Sequence, residues 1–332
     1  MLTKILNTLK ENRRKIVFTE GEDPRILQAA TRLVSEDIMD VILCGNPERI
    51  KKAAAGGGFK LDKIQIVDPE NFSAMDEMVS AMVELRKGKM SADECREALK
   101  KSNYFGTMLV KLGVADGLLG GATYSTADTV RPALQIIKTK PDAHLVSSCF
   151  ILSRGDERIA MGDCAINIDY PDSVDKEGNV TIKGSDKLAE VAVETARTAS
   201  LFGIDPKVAL LSFSTKGSGK GATVQLSRDA TEKAKQLAPD LAIDGELQFD
   251  AAVSAEVAAA KCKDSPVAGQ ANTFIFPSIE SGNIGYKIAQ RLGGFEAYGP
   301  ILQGLNAPIN DLSRGCSADE VYTMAIITMG LK

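Results

Sequence analysis

Short β-rich runs alternate with segments of helical spacing along almost the whole chain, and this alternation limits the possible architectures more than any other feature. KIVFTE, DVILCG, KIQIVD, GLLGG, HLVSSCFILS, KVALLSFS, LAIDG and NTFIFPS are the candidate strands. Between them, Pro24–Ser35, Ser185–Leu201, Ser227–Leu237 and Asn283–Leu292 space their apolar residues as helices do. The pattern predicts an α/β fold with largely parallel sheets. Ser153–Gly184, containing RIAMGDCAINIDY and EGNVTIKG, breaks the alternation and reads as a hairpin or arm inserted between helical units. At 332 residues the chain exceeds the size at which a single core stops growing, so two domains are expected.

Several function classes are disfavoured by composition. The net charge of -4 argues against a nucleic-acid binder, which would carry a basic surplus. No apolar run is long enough to span a bilayer, and MLTKILNTLKENRRK is charged throughout, without a small-residue cleavage site. A cytoplasmic location is expected. The six cysteines (Cys44, Cys95, Cys149, Cys164, Cys262, Cys316) include no Cys-x-x-Cys pair, so neither disulfides nor a zinc site is favoured. His144 is the one histidine and sits in the apolar run HLVSSCFIL, where a packed strand residue is expected. Acid–base work must then fall to Asp, Glu, Lys, Tyr or Cys.

In open α/β sheets, ligands bind where strands end. Here those ends read TEGEDPR, GGATYSTADTVRP, SFSTKGSGKGAT, DGELQFD and FPSIESGN. One such loop means little, since loops commonly have this composition; five in succession suggest a cleft for a polar ligand. SFSTKGSGKGAT is not a Walker A loop, because Gly221 follows Gly219-Lys220 and Ser214 stands where the first glycine belongs. Gly217-x-Gly219-x-x-Ala222 fits the short dinucleotide fingerprint. It equally fits a simple anion site at a helix N-terminus, or a flexible Gly/Lys loop.

Arg25 (GEDPRILQ), Arg86 (MVELRKGK) and Arg131 (STADTVRPALQ) all lie near loop ends; each reads as a surface charge or as a contact to an anionic ligand. GPILQGLNAPINDLSRGCSADEVY, Gly299 to Tyr322, is more specific. It places a hydroxyl (Ser313), a guanidinium (Arg314) and two carboxylates (Asp319, Glu320) beside a helix start, which suits transfer chemistry on a phosphate-bearing substrate. The competing reading is structural. Ser317-Ala318-Asp319-Glu320 is a capping-box pattern, Ser313 could satisfy a loop amide, and Arg314 could pair with Asp311.

With these residues the chain resembles the phosphate acetyltransferases (phosphotransacetylases). The likeness is carried by EDPRILQAA, DTVRPALQIIKT, ALLSFSTKGS, DGELQFDAA, SPVAGQAN, NIGYKIAQRLGG, AYGPILQGL and PINDLSRGCS. It implies reversible acetyl transfer between acetyl phosphate and the thiol of coenzyme A. It also implies two α/β domains flanking a cleft, as in isocitrate and isopropylmalate dehydrogenases. The first domain would comprise residues 1–145 and 298–332, the second residues 146–297. The resemblance further implies a homodimer, no tightly bound organic cofactor and no catalytic metal. On this likeness Ser313 bonds the coenzyme A sulfur and Arg314 binds the phosphoryl group. Arg86 and Arg131 bind coenzyme A phosphates, while Arg25 and Arg291 are further cleft arginines. The family's proposed base is an Asp seven residues beyond the serine; here that position is Glu320, preceded by Asp319.

The expected mechanism is direct attack of the coenzyme A thiolate on the acetyl carbonyl in a ternary complex, with Glu320 or Asp319 as base. Cys316 as an acetylated nucleophile is less favoured, because no histidine lies near it to activate it. Two other classes fit parts of the sequence: an NAD-dependent dehydrogenase using Gly217–Ala222, and a non-catalytic coenzyme A or anion sensor.

Overall fold

The computed structural model describes residues 2–332. Its internal contacts divide the chain into two units, Met1–Pro141 with Leu305–Lys332, and Asp142–Gly304. The first unit begins with α1 (Thr3–Glu11), β1 (Lys15–Phe18), α2 (Pro24–Ser35), β2 (Asp40–Cys44), α3 (Pro47–Gly57) and β3 (Gln65–Val67). It continues through α4 (Met75–Arg86), α5 (Ala92–Leu99), α6 (Ser102–Lys111), β4 (Gly117–Gly120), α7 (Thr126–Pro132) and a π-helical turn, Ala133–Ile137. The second unit holds β5 (Ser147–Arg154), β6 (Glu157–Gly162), β7 (Ser173–Val174), β8 (Val180–Ile182), α8 (Gly184–Leu201) and β9 (Lys207–Leu211). After these come α9 (Ala222–Leu237), β10 (Ala242–Leu247), α10 (Phe249–Val253), α11 (Ala255–Lys261), β11 (Thr273–Ile275), α12 (Ile279–Arg291) and β12 (Glu296–Gln303). The chain then returns to the first unit with β13 (Ile309–Asp311) and α13 (Ala318–Gly330).

The first unit's sheet has the order β13-β4-β1-β2-β3, and every pairing in it is parallel. Ile16-Val17-Phe18 and Val41-Ile42-Leu43-Cys44 are buried without alternation, as strands covered on both faces must be. The local chemistry of α2 shows why helices follow these strands. Pro24 takes the first helical position, where its missing N–H removes no bond. Asp23 caps the helix by accepting from the Arg25 amide at 2.9 Å, and Ile26, Leu27, Ala29, Ala30 and Leu33 form the buried stripe. From β1 the chain winds outward to β2 and β3, then crosses to β4 on the other side. That reversal between β1 and β4 is a switch point, where exit loops diverge and leave room for a ligand.

The second unit's sheet has the order β10-β9-β11-β6-β5-β12. It is parallel from β10 to β6 and antiparallel where β5 meets β6 and β12. The α/β architecture with largely parallel sheets is thus as the sequence predicts, with one correction. RIAMG is not part of an arm: it forms β6, inside the sheet between β11 and β5, and the separate hairpin is β7 with β8. Asp163, just after β6, gives that segment a loop-like polarity but is buried. Its carboxylate accepts from the Ser148 amide at 3.1 Å, the Ala165 amide at 3.1 Å, the Asn167 amide at 2.9 Å and Asn167 Nδ2 at 2.6 Å.

The expected crossing points, near 146 and 298, differ from the unit limits at Asp142 and Gly304. Residue 298 falls within β12, whose pairing with β5 runs on to Gln303↔Ser147 and keeps this stretch in the second unit. His144 also differs from expectation. It precedes β5, is half-exposed and pairs through Nδ1 with Glu190 Oε1, so it is not a packed strand residue. Among the described residues, no helix is long and apolar enough to cross a membrane.

Candidate active site

Three exit loops of the first unit's sheet carry the candidate residues: residues 19–23 after β1, 121–125 after β4, and 312–317 after β13. A cleft of about 390 Å³ is lined by Thr19, Glu20, Gly21, Glu22, Asp23, Cys44, Gly45, Ser102 and Thr123. The Glu20 carboxylate binds the β4 exit. It accepts from the amides of Gly121 (2.9 Å), Ala122 (3.2 Å) and Thr123 (2.5 Å) and from the Thr123 hydroxyl (2.7 Å).

Arg25 joins all three loops. Nε and Nη2 donate to Asp23 at 2.9 and 2.7 Å, and Nη2 also donates to the Ala122 carbonyl at 2.9 Å. Nη1 donates to the carbonyls of Arg314 at 2.8 Å and Cys316 at 3.1 Å. The pairing with Asp23 raises its already high pKa further. Arg25, expected from the resemblance to meet substrate, therefore uses its donors to build the site.

Ser313 and Arg314 are exposed on the β13 exit loop. The Ser313 hydroxyl accepts from the Gly315 amide at 3.3 Å, so a loop amide is satisfied and the hydroxyl proton stays available. The Arg314 guanidinium has no hydrogen-bond or ion-pair partner among the described residues. It does not pair with Asp311, which is buried and accepts instead from the hydroxyls of Thr126 and Thr129, both at 2.6 Å. Burial raises the Cys316 thiol pKa despite the nearby Arg25, which keeps the sulfur protonated and a poor nucleophile.

The capping box is real. The Ser317 amide donates to Glu320 Oε2 at 2.6 Å, and the Glu320 amide donates to Ser317 Oγ at 3.2 Å. Glu320 remains exposed, with Oε1 outside the cap. Asp319 is paired with Arg32 at 3.1 Å.

Arg86 ends α4 and Arg131 is the next-to-last residue of α7, and they share one neighbour. Burial, with Asp128, raises the pKa of the Tyr104 phenol while Arg131 and Arg86 both pull it down, so both guanidiniums act on this one phenol. Tyr104 donates to Gln135 Oε1 at 2.9 Å, and Arg86 Nη1 donates to the Gln135 carbonyl at 3.3 Å. Among the described residues, Arg86 Nε is buried without a partner. Arg131 is exposed. Arg291, the last residue of α12, lies on the surface of the second unit.

The glycine-rich loop of the second unit is already filled from within. Glu246 accepts from the Gly217 amide at 2.8 Å, from Ser214 Oγ at 2.9 Å and from Arg228 Nε at 3.2 Å, while Ser214 Oγ takes the Gly219 amide at 2.9 Å. Burial opposes the Glu246 charge, but Arg228 and the hydrogen bonds prevail and lower its pKa to about 2. The Gly217 and Gly219 amides of the fingerprint therefore hold protein groups.

Sequence reasoning passed over Glu20, Tyr104, Thr126 and Thr129, and considered Asp311 only as a partner for Arg314. The available signal was position, since each lies at or beside the end of a strand or helix in the first unit.

The family model described as "Phosphate acetyl/butaryl transferase" matches residues 1–329. A phosphate acetyltransferase of Bacillus subtilis is 53% identical over 314 residues, covering 95% of this chain and 93% of that protein. One of Staphylococcus epidermidis is 50% identical, covering 99% and 97%. Among solved structures, a phosphotransacetylase from Streptococcus pyogenes superposes with a TM-score of 0.92 at 52% identity, over 98% of this chain and 96% of that one. A 4-hydroxythreonine-4-phosphate dehydrogenase from Salmonella typhimurium shares the fold, with a TM-score of 0.51 at 12% identity over 97% and 100%. Matched over nearly its whole length, the chain belongs to the phosphate acetyl/butyryl transferase family.

Proposed function

We propose that this chain is an acyltransferase that moves an acetyl group reversibly between acetyl-CoA and phosphate. The observation that carries the reading at the site is the unpaired Arg314 guanidinium beside the Ser313 hydroxyl, on a loop held from behind by Arg25. A guanidinium presents a rigid donor fork to phosphate oxygens, and Arg314 has that fork free.

In the proposed ternary complex, the coenzyme A thiolate attacks the acetyl carbonyl and phosphate departs. Ser313 donates to the sulfur. Arg314 holds the phosphoryl group and offsets charge on the tetrahedral oxyanion and on the leaving phosphate. Glu320 takes the thiol proton through Oε1, since its cap occupies Oε2. A free thiol has a pKa of about 8.5, so forming the thiolate at pH 7 costs only about 2 kcal/mol, and the base has little more than that to supply. Arg86 and Arg131 would take coenzyme A phosphates, and Arg25 shapes the loops. The step needs neither a redox cofactor nor a Lewis acid, because the leaving group is an anion met by a cation.

The enzyme is proposed to act in the cytoplasm as a homodimer. Support for self-association comes from α12 and the residue after it, where Ile284, Ile288 and Leu292 expose an apolar stripe at four-residue spacing. Mixing acetyl phosphate with coenzyme A and following thioester absorbance tests the activity. Turnover is expected; none with acetyl or butyryl phosphate would sink the acyltransferase reading.

A further inference from the structure

Three structural elements meet at one buried carboxylate that the reaction above does not use. Asp311, the last residue of β13, is 1% exposed. Its Oδ2 accepts from Thr126 and its Oδ1 from Thr129, both on α7. Its neighbour Leu312 donates to the Gly120 carbonyl at 2.7 Å, carrying the β13–β4 pairing into the exit loops. On the β4 side the fit leaves no slack: a Cβ at Gly121, where φ is +100°, would lie 2.2 Å from Asp311 Oδ1. Two residues after Asp311 comes Ser313, and two residues after Thr129 comes Arg131.

We propose that Asp311 is a positioning residue for acyl transfer: its carboxylate pins the first turns of α7 to the exit of β13 and so fixes Arg131 relative to Ser313 and Arg314. The proposal rests on the assignment of those three residues to the site.

The chemistry of the pin favours function over simple packing. An ionised carboxylate offers two equivalent acceptors and holds both threonines as donors in one orientation. An amide of the same shape would keep one acceptor and turn the other arm into a donor, so the α7 contact could settle in more than one arrangement. The carboxylate is costly to keep. Both hydrogen-bond partners are neutral, and the charges acting on it are acidic: Glu20 from the β1 exit and Asp128 from α7. Tyr124 of the β4 exit faces it as a phenol whose own pKa is raised by burial, and α13 meets β13 through the Asn310–Thr328 hydrogen bond. Burial, the largest cause, raises the Asp311 pKa to about 6. A buried charge without a cation destabilises a fold, while a displacement near 1 Å at a reacting centre can cost about 100-fold in rate.

The test compares the full chain with Asp311→Asn, with a Thr126→Val/Thr129→Val double variant, and with Arg314→Gln, using acetyl phosphate and coenzyme A. For Asp311→Asn we expect a melting midpoint at or above the parent's at about pH 7.5. Its kcat should be at least about tenfold lower, with KM for acetyl phosphate within about threefold. The parent's acid limb near pH 6 should be absent from the variant's kcat profile. The double threonine variant should lose kcat similarly, and it decides the matter if Asp311→Asn fails to fold. A kcat within about twofold of the parent in the folded variant, with Arg314→Gln impaired, would overturn the positioning role alone. Parental activity in Arg314→Gln would instead remove the site assignment, and this proposal with it.

Discussion

Arg25 and Arg314 carry the same side chain and put it to opposite uses. Arg25 spends its donors on Asp23 and on carbonyls of two other loops, whereas Arg314 gives only its carbonyl to the protein. A fully committed guanidinium has no donor left for a ligand, and an uncommitted one has its whole fork. Asp311 makes the complementary case for a carboxylate. Its pKa of about 6 lies above the ordinary value of 3.8, so between those values the folded chain binds a proton that the unfolded chain does not. The stability from this group is full below pH 4, falls as pH rises toward 6, and stays low above it. A shift of roughly two units corresponds to about 3 kcal/mol, already net of the two hydroxyl hydrogen bonds that favour the charged form. Relative to the parent, Asp311→Asn should therefore be about 3 kcal/mol more stable above pH 6 than it is below pH 4. Urea melts across that range check this. A stability difference independent of pH would refute the linkage.

Elements were legible where local chemistry and tertiary role agree. Pro24–Ser35 reads as α2 because an Asp cap, a first-position proline and an apolar stripe all mark the same segment. The eight candidate strands coincide with β1 to β5 and β9 to β11. The strands missed are those where side chains disguise burial. β12 contains Gly299-Pro300, which argues against a central strand, and it is tolerated because β12 is the sheet edge. β13 ends in Asn310 and Asp311, polar residues that look exposed but are buried and satisfied by hydroxyls. β6 runs into Asp163, whose carboxylate accepts from the Ser148 amide of β5 and from amides of the loop that follows it. For β12 and β13 the compensating partner is topological or distant in sequence, and no local pattern contains it. The same reason hid Glu20, whose three amide partners lie about a hundred positions away. By contrast SADE reads directly as a capping box, because its partners are three residues apart.

On the scale of the whole molecule, the nearly full-length family match fixes the reaction class, while the first unit alone supplies the loop that bears Ser313 and Arg314 and the helix that bears Glu320. The second unit carries the apolar stripe of α12, which continues to Leu292 just after the helix, 86% exposed. A monomer gains nothing from exposing that stripe. The parent should sediment as a dimer, and Ile288→Glu with Leu292→Glu should sediment as a folded monomer; an unchanged dimer would place the interface elsewhere. The central claim concerns the β13 exit loop. Its most direct test is the kcat/KM of thioester formation from acetyl phosphate and coenzyme A for the parent, Arg314→Gln and Glu320→Gln. Losing a desolvated charge partner typically costs roughly 2–5 kcal/mol, against the roughly 2 kcal/mol at stake in deprotonating the thiol. Arg314→Gln should therefore lose more activity than Glu320→Gln. Equal losses, or a larger loss for Glu320→Gln, would contradict the assignment.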